Sequence, residues 1–433
     1  MKIAVIGAGL AGLAAAWLLG RRHDVTLFER QARPGFTAGS VTVPGPDGAV
    51  RVDVPLRVFY AGYYPTLTRL YRALGVPSEP VSYAASFTGG DGQLYFRYRN
   101  LRLGDASVGY LAPQDLLIGS PSRRIVAALL RFHREAPAAL RAGRLAGRSI
   151  GEFVDAQGFP REFVDGFLLP AVATVCTCSF TQARAFPAAV IVDYLVRGLA
   201  REAVRRALHG ADDVERRLLD GIAELRTQAR IAGVRRGAQG VQLCLEDSAE
   251  QAFDHVVLAT QANQARRLLL DGSASEAQVL DAFTTTPVEV ITHTDAGFMP
   301  PRQRDWSPVN LRVAPAQDVP ESTIWINAVQ PALRRAAPVF QTVHPHREPR
   351  EGTLIGRSRF ERPVVGPGSA QALAGLAALH DETDRRVWFC GSYAQAGIPL
   401  LESAVRSALV VAERLGAPFD GQPAGGLRAD HSA

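Results

Sequence analysis

The first thirty residues leave little freedom in what this chain can fold into. Lys2 to Ile6 is a short, β-branched apolar run suited to a buried parallel strand. Gly7-Ala8-Gly9-Leu10-Ala11-Gly12 follows at once, and then a run of Leu, Ala and Trp up to Gly20 that favours helix. A second strand-like run, Asp24 to Phe28, ends at Glu29, seventeen residues after Gly12. Each part has a physical task. Gly7 allows the tight strand-to-helix turn, Gly9 lets backbone approach a pyrophosphate, and Gly12 lets the helix pack close to the strands. The helix N-terminus offers free N–H groups and a positive dipole end to phosphates. Glu29 can accept hydrogen bonds from ribose hydroxyls. Together these parts predict a dinucleotide site.

The same segment raises a membrane question, because Ile3 to Gly20 is eighteen residues without a charge. Three glycines in the first ten of those positions, and no basic stretch before them, argue against a membrane span or a signal peptide. The chain of 433 residues is 47% hydrophobic and 21% charged, an ordinary globular balance long enough for two or three joined domains. Four cysteines exclude a disulfide scaffold and fit a reducing compartment, so the expected location is the cytoplasm. A net charge of +6 without a basic tail does not suit a nucleic-acid binder. Lys2 is the only lysine, which excludes any mechanism that needs one in mid-chain.

An NAD dehydrogenase would continue with strand–helix units in tandem. Here residues 61–210 read as mostly helical, and parallel-strand signals return only at Phe253 to Thr260 and at Arg386 to Ser392, followed by a helix from Leu400 to Leu415. A nucleotide domain gathered from the beginning, middle and end of a chain is the layout of two-domain flavoproteins. The chain resembles the flavin-containing amine oxidase superfamily, and within it a bacterial branch of NAD/FAD-binding oxidoreductases. The resemblance lies in AVIGAGLAGLAAAWLL with VTLFER, in GVPSEP, LRFHREAP and FVDGFLLP, in FDHVVLATQANQARRLL, in VEVITHTDAGFMP with STIWINAVQ, and in WFCGSYAQAG with LLESAVRSALVVAE.

The resemblance implies FAD as cofactor. It implies contacts from Ala11, Arg30 and Gly35 beside the opening motif, from Thr260 after the middle strand, and from Gly391, Ser392, Leu401 and Glu402 at the close. Four departures fall where the family surrounds the flavin. Phe36 stands where the second of two adjacent glycines is expected. Val52-Asp53-Val54-Pro55 replaces Val-Asp-Thr-Gly, which removes an N–H donor and fixes φ. Cys176 replaces a tryptophan, and Leu401 stands at the histidine of a Phe-His-Glu-Asp-Gly motif of which Glu402 survives. Phe36, Pro55, Cys176, Tyr393 and Leu401 are therefore the residues expected near the ring or the substrate. Many amine oxidases of the superfamily place a lysine, through a water, at the flavin. Lys2 cannot be that residue, so desaturation or double-bond chemistry is favoured over amine oxidation.

Other candidates stand beside plainer readings. Cys176 and Cys178 lack the companions of a zinc set and read as core. His293, in Ile291-Thr292-His293-Thr294-Asp295, is a candidate proton carrier, although a lone strand histidine is more often structural. No Gly-x-Ser-x-Gly elbow anchors a hydrolase triad. Residues 123–148 suggest an amphipathic helix, broken near Pro137, with Arg124, Arg131, Arg134 and Arg141 toward one side. The plain reading is a solvated face; the sharper one is a docking face for an acidic carrier protein or an anionic membrane surface.

The expected fold is α/β: a discontinuous Rossmann-like FAD-binding domain (1–60, 211–275 and 384–416) plus an α+β substrate domain with a mixed sheet and helices (61–210 and 276–383). The tail 417–433 is expected to be mobile. The expected activity is hydride removal from a carbon of a largely apolar small molecule. The alternatives are a redox-neutral double-bond isomerase and a non-catalytic flavin-binding protein.

Overall fold

Five parallel strands form the first sheet, in the order Glu224–Arg226, Asp24–Phe28, Lys2–Ile6, His255–Leu258 and Val387–Phe389. The computed structural model describes residues 1–421 apart from 104–105, 113–114, 116–118, 198–201, 247–248 and 315. Strand order reverses direction between Lys2–Ile6 and His255–Leu258, which leaves a crevice at the carboxyl ends of these two strands. The strands come from three distant parts of the chain. The four strands from Asp24–Phe28 to Val387–Phe389 are mostly apolar and buried because helices and the neighbouring sheet cover them, whereas the edge strand Glu224–Arg226 is charged and partly exposed.

The uncharged opening segment ends in a buried helix. Leu10–Gly20 has eleven residues, and Leu10 through Leu19 are all buried between the sheet and the helices Gly210–Leu219 and Leu401–Arg414. An apolar surface on every side suits a helix with partners on every side. Among the described residues, no helix is long and apolar enough to cross a membrane. A three-stranded antiparallel sheet (Ile231–Gly237, Gly240–Leu245, Glu250–Phe253) adjoins the parallel one.

The second large sheet has eight strands, in the order Leu354–Pro363, Thr285–His293, Phe340–Val343, Glu321–Trp325, Val309–Val313, Ala85–Gly89, Leu94–Leu103 and Ala106–Tyr110. It is antiparallel except where Val309–Val313 runs parallel to Ala85–Gly89. This corrects the helical reading of residues 61–210, which contribute three of its strands. The signal was the alternation from Leu94 to Arg99, where aromatic and arginine side chains take turns, after a Gly89-Gly90-Asp91-Gly92 turn. The helices of that region stack against the sheet through Phe132, Phe153, Phe159, Phe163 and Phe167.

The amphipathic segment forms one helix, Ser120–Arg141, with Pro137 inside it. Arg124 pairs with Glu162, and Arg131 and Arg134 pair with Glu135. Past the last helix, Ala417 is buried and Phe419 packs edge-on against Trp17 under the Arg69 guanidinium. Residues 422–433 of the tail lie outside the described residues.

Candidate active site

A cleft of about 830 Å³ opens at the carboxyl ends of the parallel strands and continues to the eight-stranded sheet. Gly7 and Gly9 line it after the first strand, Glu29 and Arg30 after the second, Thr260 after His255–Leu258, and Gly391 with Ser392 after Val387–Phe389. Its other walls come from residues 35–39 and 54–64, from Thr174 to Thr177, and from Ser358 to Pro363.

The three glycines of the opening turn do different work. Gly7 has φ +105°, and a Cβ there would meet the Ala259 carbonyl oxygen at 2.8 Å. A Cβ on Gly12 would sit 1.8 Å from the Gly7 carbonyl oxygen, so this glycine serves helix–strand packing and does not line the cleft. A Cβ on Gly9 would meet nothing within 4 Å. The cradle is open at Gly9 alone, at the uncapped start of the helix Leu10–Gly20, where a pyrophosphate finds free N–H groups. Glu29 is buried beside it. Its carboxylate accepts the Ala8 N–H (2.9 Å) and the Gln31 N–H (2.8 Å), which holds the turn and leaves further lone pairs for a ribose diol. These residues fit a dinucleotide. Ala11 and Gly35 also line the cleft, and a Cβ on Gly35 would lie 3.4 Å from the Glu29 carboxylate.

Two of the departures share one wall. Phe36 and Pro55 both line the cleft, joined by Arg57, whose guanidinium lies 4.3 Å from the centre of the Phe36 ring. Arg57 donates to the carbonyl oxygens of Pro55 (3.2 Å) and Phe36. Burial pulls its pKa down, opposed most strongly by Asp53. The Phe36 N–H is already given to the Ala8 carbonyl (3.1 Å). Leu401 lines the cleft at the first position of the helix Leu401–Arg414, which has no side-chain cap and so turns a positive dipole end toward this region.

Behind this wall, the Thr37 hydroxyl donates to buried Glu215 (2.9 Å), whose second carboxylate oxygen finds no protein partner among the described residues. Burial is the main cause that raises this carboxyl from an ordinary 4.5 to about 7, with nearby Asp212 adding to the shift. An acid with a raised folded pKa holds its proton longer in the folded state than in the unfolded one. Stability therefore falls as pH rises from about 4.5 to about 7 and levels off above that. Glu215→Gln is expected to stabilise the protein by about 2 kcal/mol at pH 8 and to be nearly neutral at pH 4.5. Urea midpoints at the two pH values check this; equal effects at both would refute it.

Four residues expected near the ring or the flavin lie elsewhere. Cys176 is buried behind its cleft-lining neighbours Val175 and Thr177, and burial with Cys178 close by raises its thiol well above the ordinary value. Tyr393 packs edge-on against Phe283 (4.9 Å between ring centres), with its hydroxyl buried away from the cleft. His293 is fully buried within the eight-stranded sheet. Its Nδ1 accepts the Asp295 N–H (3.1 Å) and its Nε2 meets the Thr342 hydroxyl at 2.8 Å. Burial takes its pKa down to about 4, so it is a neutral structural histidine and no proton carrier for the cleft. Glu402 turns away as well: its carboxylate accepts the N–H groups of Thr66 (3.1 Å) and Leu67 (2.9 Å) at the start of the helix Pro65–Ala73.

The far end of the cleft holds Tyr60, Tyr64, Tyr83 and Tyr194 among apolar neighbours such as Ile324, Val343 and Leu400. Burial raises the pKa of all four phenols, that of Tyr83 to about 12, so they are neutral. Arg362 joins them from the strand Leu354–Pro363, with its Nε–H donated to the Thr177 hydroxyl (3.0 Å). Sequence reasoning overlooked Arg57 and Arg362. Along Arg357-Ser358-Arg359-Phe360-Glu361-Arg362, the first two arginines share a face and both bond Glu289. The third falls an odd number of positions later, hence on the other face, and that offset was the available signal.

The NAD(P)-binding Rossmann-like domain family matches residues 5–74. No curated protein sequence matches the chain. Among solved structures it is similar to a putative protoporphyrinogen oxidase from Exiguobacterium sp. 255-15, with 16% identity over 96% of this chain and 98% of that one and a TM-score of 0.65. The cyclohexylamine oxidase of Brevibacterium oxydans IH-35A is also similar, at 16% identity, 96% and 99% coverage and a TM-score of 0.65. So is a CLA-producing fatty acid isomerase from P. acnes, at 14% identity, 95% and 98% coverage and a TM-score of 0.65. Strands gathered from three parts of the chain, a glycine turn at the switch point and likeness over nearly its whole length give this chain the fold of these solved structures, opened by a segment that matches the NAD(P)-binding Rossmann-like domain family.

Proposed function

We propose that this chain is an FAD-dependent oxidoreductase that removes a hydride from a carbon of a largely apolar small molecule. The observation that carries this is a single cleft that begins at the open Gly9 cradle with Glu29 and ends among tyrosines and aliphatic side chains. FAD held there would supply the two-electron acceptor. Gly9 and the start of the helix Leu10–Gly20 would take the pyrophosphate, Glu29 the ribose, and Phe36, Pro55 and Leu401 would flank the ring. The apolar walls exclude water from the reacting carbon.

The chain's own groups favour carbon–carbon chemistry over amine oxidation. Lys2 stacks its ammonium over Phe253, 5.1 Å from the ring centre, and does not line the cleft. Neutral tyrosines donate hydrogen bonds but take no proton. Arg57 and Arg362, which line the cleft with no carboxylate within 4 Å among the described residues, disfavour an ammonium substrate beside them. The likeness to a fatty acid isomerase supports a second reading, a redox-neutral shift of a double bond. The four free cysteines suit a reducing compartment such as the cytoplasm. A docking face on the helix Ser120–Arg141 would have to share arginines already paired with Glu135 and Glu162.

Protein purified without added cofactor is expected to carry a visible flavin band, with FAD released on denaturation. Anaerobic mixing with unsaturated or saturated acyl substrates is expected to bleach that band. Product formed with no oxidant consumed would select the isomerase reading. A flavin that no substrate class bleaches or converts would leave a binding protein. Protein without flavin that also fails to take up added FAD would end the oxidoreductase reading.

A further inference from the structure

We infer that the molecule bound at the far end of this cleft carries a carboxylate, and that Arg362 holds it. The oxidoreductase reading above says what happens to that molecule; the present inference says what recognises it. Arg362 differs from its strand neighbours. Arg357 pairs with Glu289 and Glu348, and Arg359 pairs with Glu289. Among the described residues, no carboxylate lies within 4 Å of Arg362, and of its five N–H donors only Nε–H has a protein partner, the Thr177 hydroxyl. The guanidinium sits among Tyr64, Cys176 and Cys178, and burial pulls its pKa down. A cation left unpaired in such surroundings is costly unless an anion joins it.

The way Arg362 is held points the same way. Thr177 ends the helix Leu169–Cys176 in the left-handed conformation, φ 49° and ψ 52°. That is a strained position for a β-branched residue, and strain of this kind collects at functional sites. The His344 ring reaches the backbone of the same residue. Fixing Nε through Thr177 leaves both Nη groups to offer the paired N–H bonds that match a carboxylate. The walls are neutral tyrosines and aliphatic side chains, so the rest of the molecule is apolar. One guanidinium balances one negative charge. Arg57, which also lines the cleft without a carboxylate partner, is committed to Phe36 and Pro55 on the wall beside Gly35.

Calorimetric titration of the full-length protein, as purified, tests this with octanoate, octanamide, octylamine and octyl phosphate. Octanoate is expected to bind about tenfold or more tighter than octanamide, the size of a charge-assisted pair. Arg362→Gln is expected to bring octanoate down to the amide's affinity and leave octanamide unchanged, and Arg362→Lys to restore part of the preference. Exposed Arg235→Gln should behave as wild type. The inference is overturned by octanoate binding no tighter than octanamide, by octylamine or octyl phosphate binding tightest, or by Arg362→Gln leaving octanoate affinity unchanged. If Arg362→Gln fails to fold, the wild-type ligand series and Arg362→Lys decide. The visible spectrum of the same sample separates the two readings. Absence of flavin together with failure to take up added FAD sinks the oxidoreductase proposal without touching the ligand preference, and flavin without that preference sinks this inference alone.

Discussion

Gly9→Leu should yield a folded protein that no longer retains FAD. The backbone at Gly9 is extended, φ −73° and ψ 177°, and any residue can adopt it. A side chain there meets no protein atom within 4 Å, so the apo-protein's thermal midpoint should move by less than about 2 °C. The same side chain fills the space in front of the helix Leu10–Gly20 that a pyrophosphate needs, and FAD affinity should drop about a hundredfold or more. Gly12→Ala inverts the pattern. Its methyl group would lie 1.8 Å from the Gly7 carbonyl oxygen, which is backbone and cannot swing aside. The helix must lift off the sheet, at a cost of about 3 kcal/mol in the apo-protein. Thermal midpoints of both apo-proteins, with flavin titration of the wild type and Gly9→Leu, check the contrast. Gly9→Leu protein that still binds FAD at wild-type affinity would place the cofactor elsewhere.

That contrast also marks how far the sequence could be read. The turn from Gly7 to Gly12, the strand after it and Glu29 were legible because each is local: the spacing alone dictates a strand, a tight turn and a helix. The parallel strands at 255–258 and 387–389 were legible as short apolar runs closed by turns. The strands between Ala85 and Tyr110 were missed because aromatics alternating with arginine resemble an amphipathic surface until the partner strand is known. Arg97 is buried there, bound to Asp115 well outside its own strand, a pairing that no period reveals. Site residues followed the same rule. Gly7, Gly9 and Ala11 of the contiguous opening motif, and Phe36 and Pro55 close behind it, line the cleft, while Gly12 packs the helix on the strand. His293, Tyr393 and Cys176 had been placed by residue type or by likeness, and each side chain points into packed protein. Direction depends on register and rotamer, which sequence spacing does not carry.

Glu402 makes the strongest case against inferring a role from likeness. The residue is 4% exposed, and both carboxylate oxygens are taken by the Thr66 and Leu67 N–H groups. The helix Pro65–Ala73 begins at Tyr64 with no side-chain cap of its own, so Glu402 caps it from a distant helix. The acid also adds charge complementary to that helix's positive end. Glu402→Ala strands one buried and one half-buried donor and should cost about 2–4 kcal/mol in urea unfolding. Glu402→Gln keeps one acceptor but turns its amide N–H₂ toward a second donor, and should recover about half of that loss. FAD content per folded molecule should stay at the wild-type level in both, because the carboxylate does not line the cleft. Tyr64 does line it and immediately precedes the capped helix, so carboxylate affinity in the variants should weaken modestly while the flavin remains. The opposite outcome, flavin lost at unchanged stability, would make Glu402 a cofactor ligand and its bonds to Thr66 and Leu67 incidental.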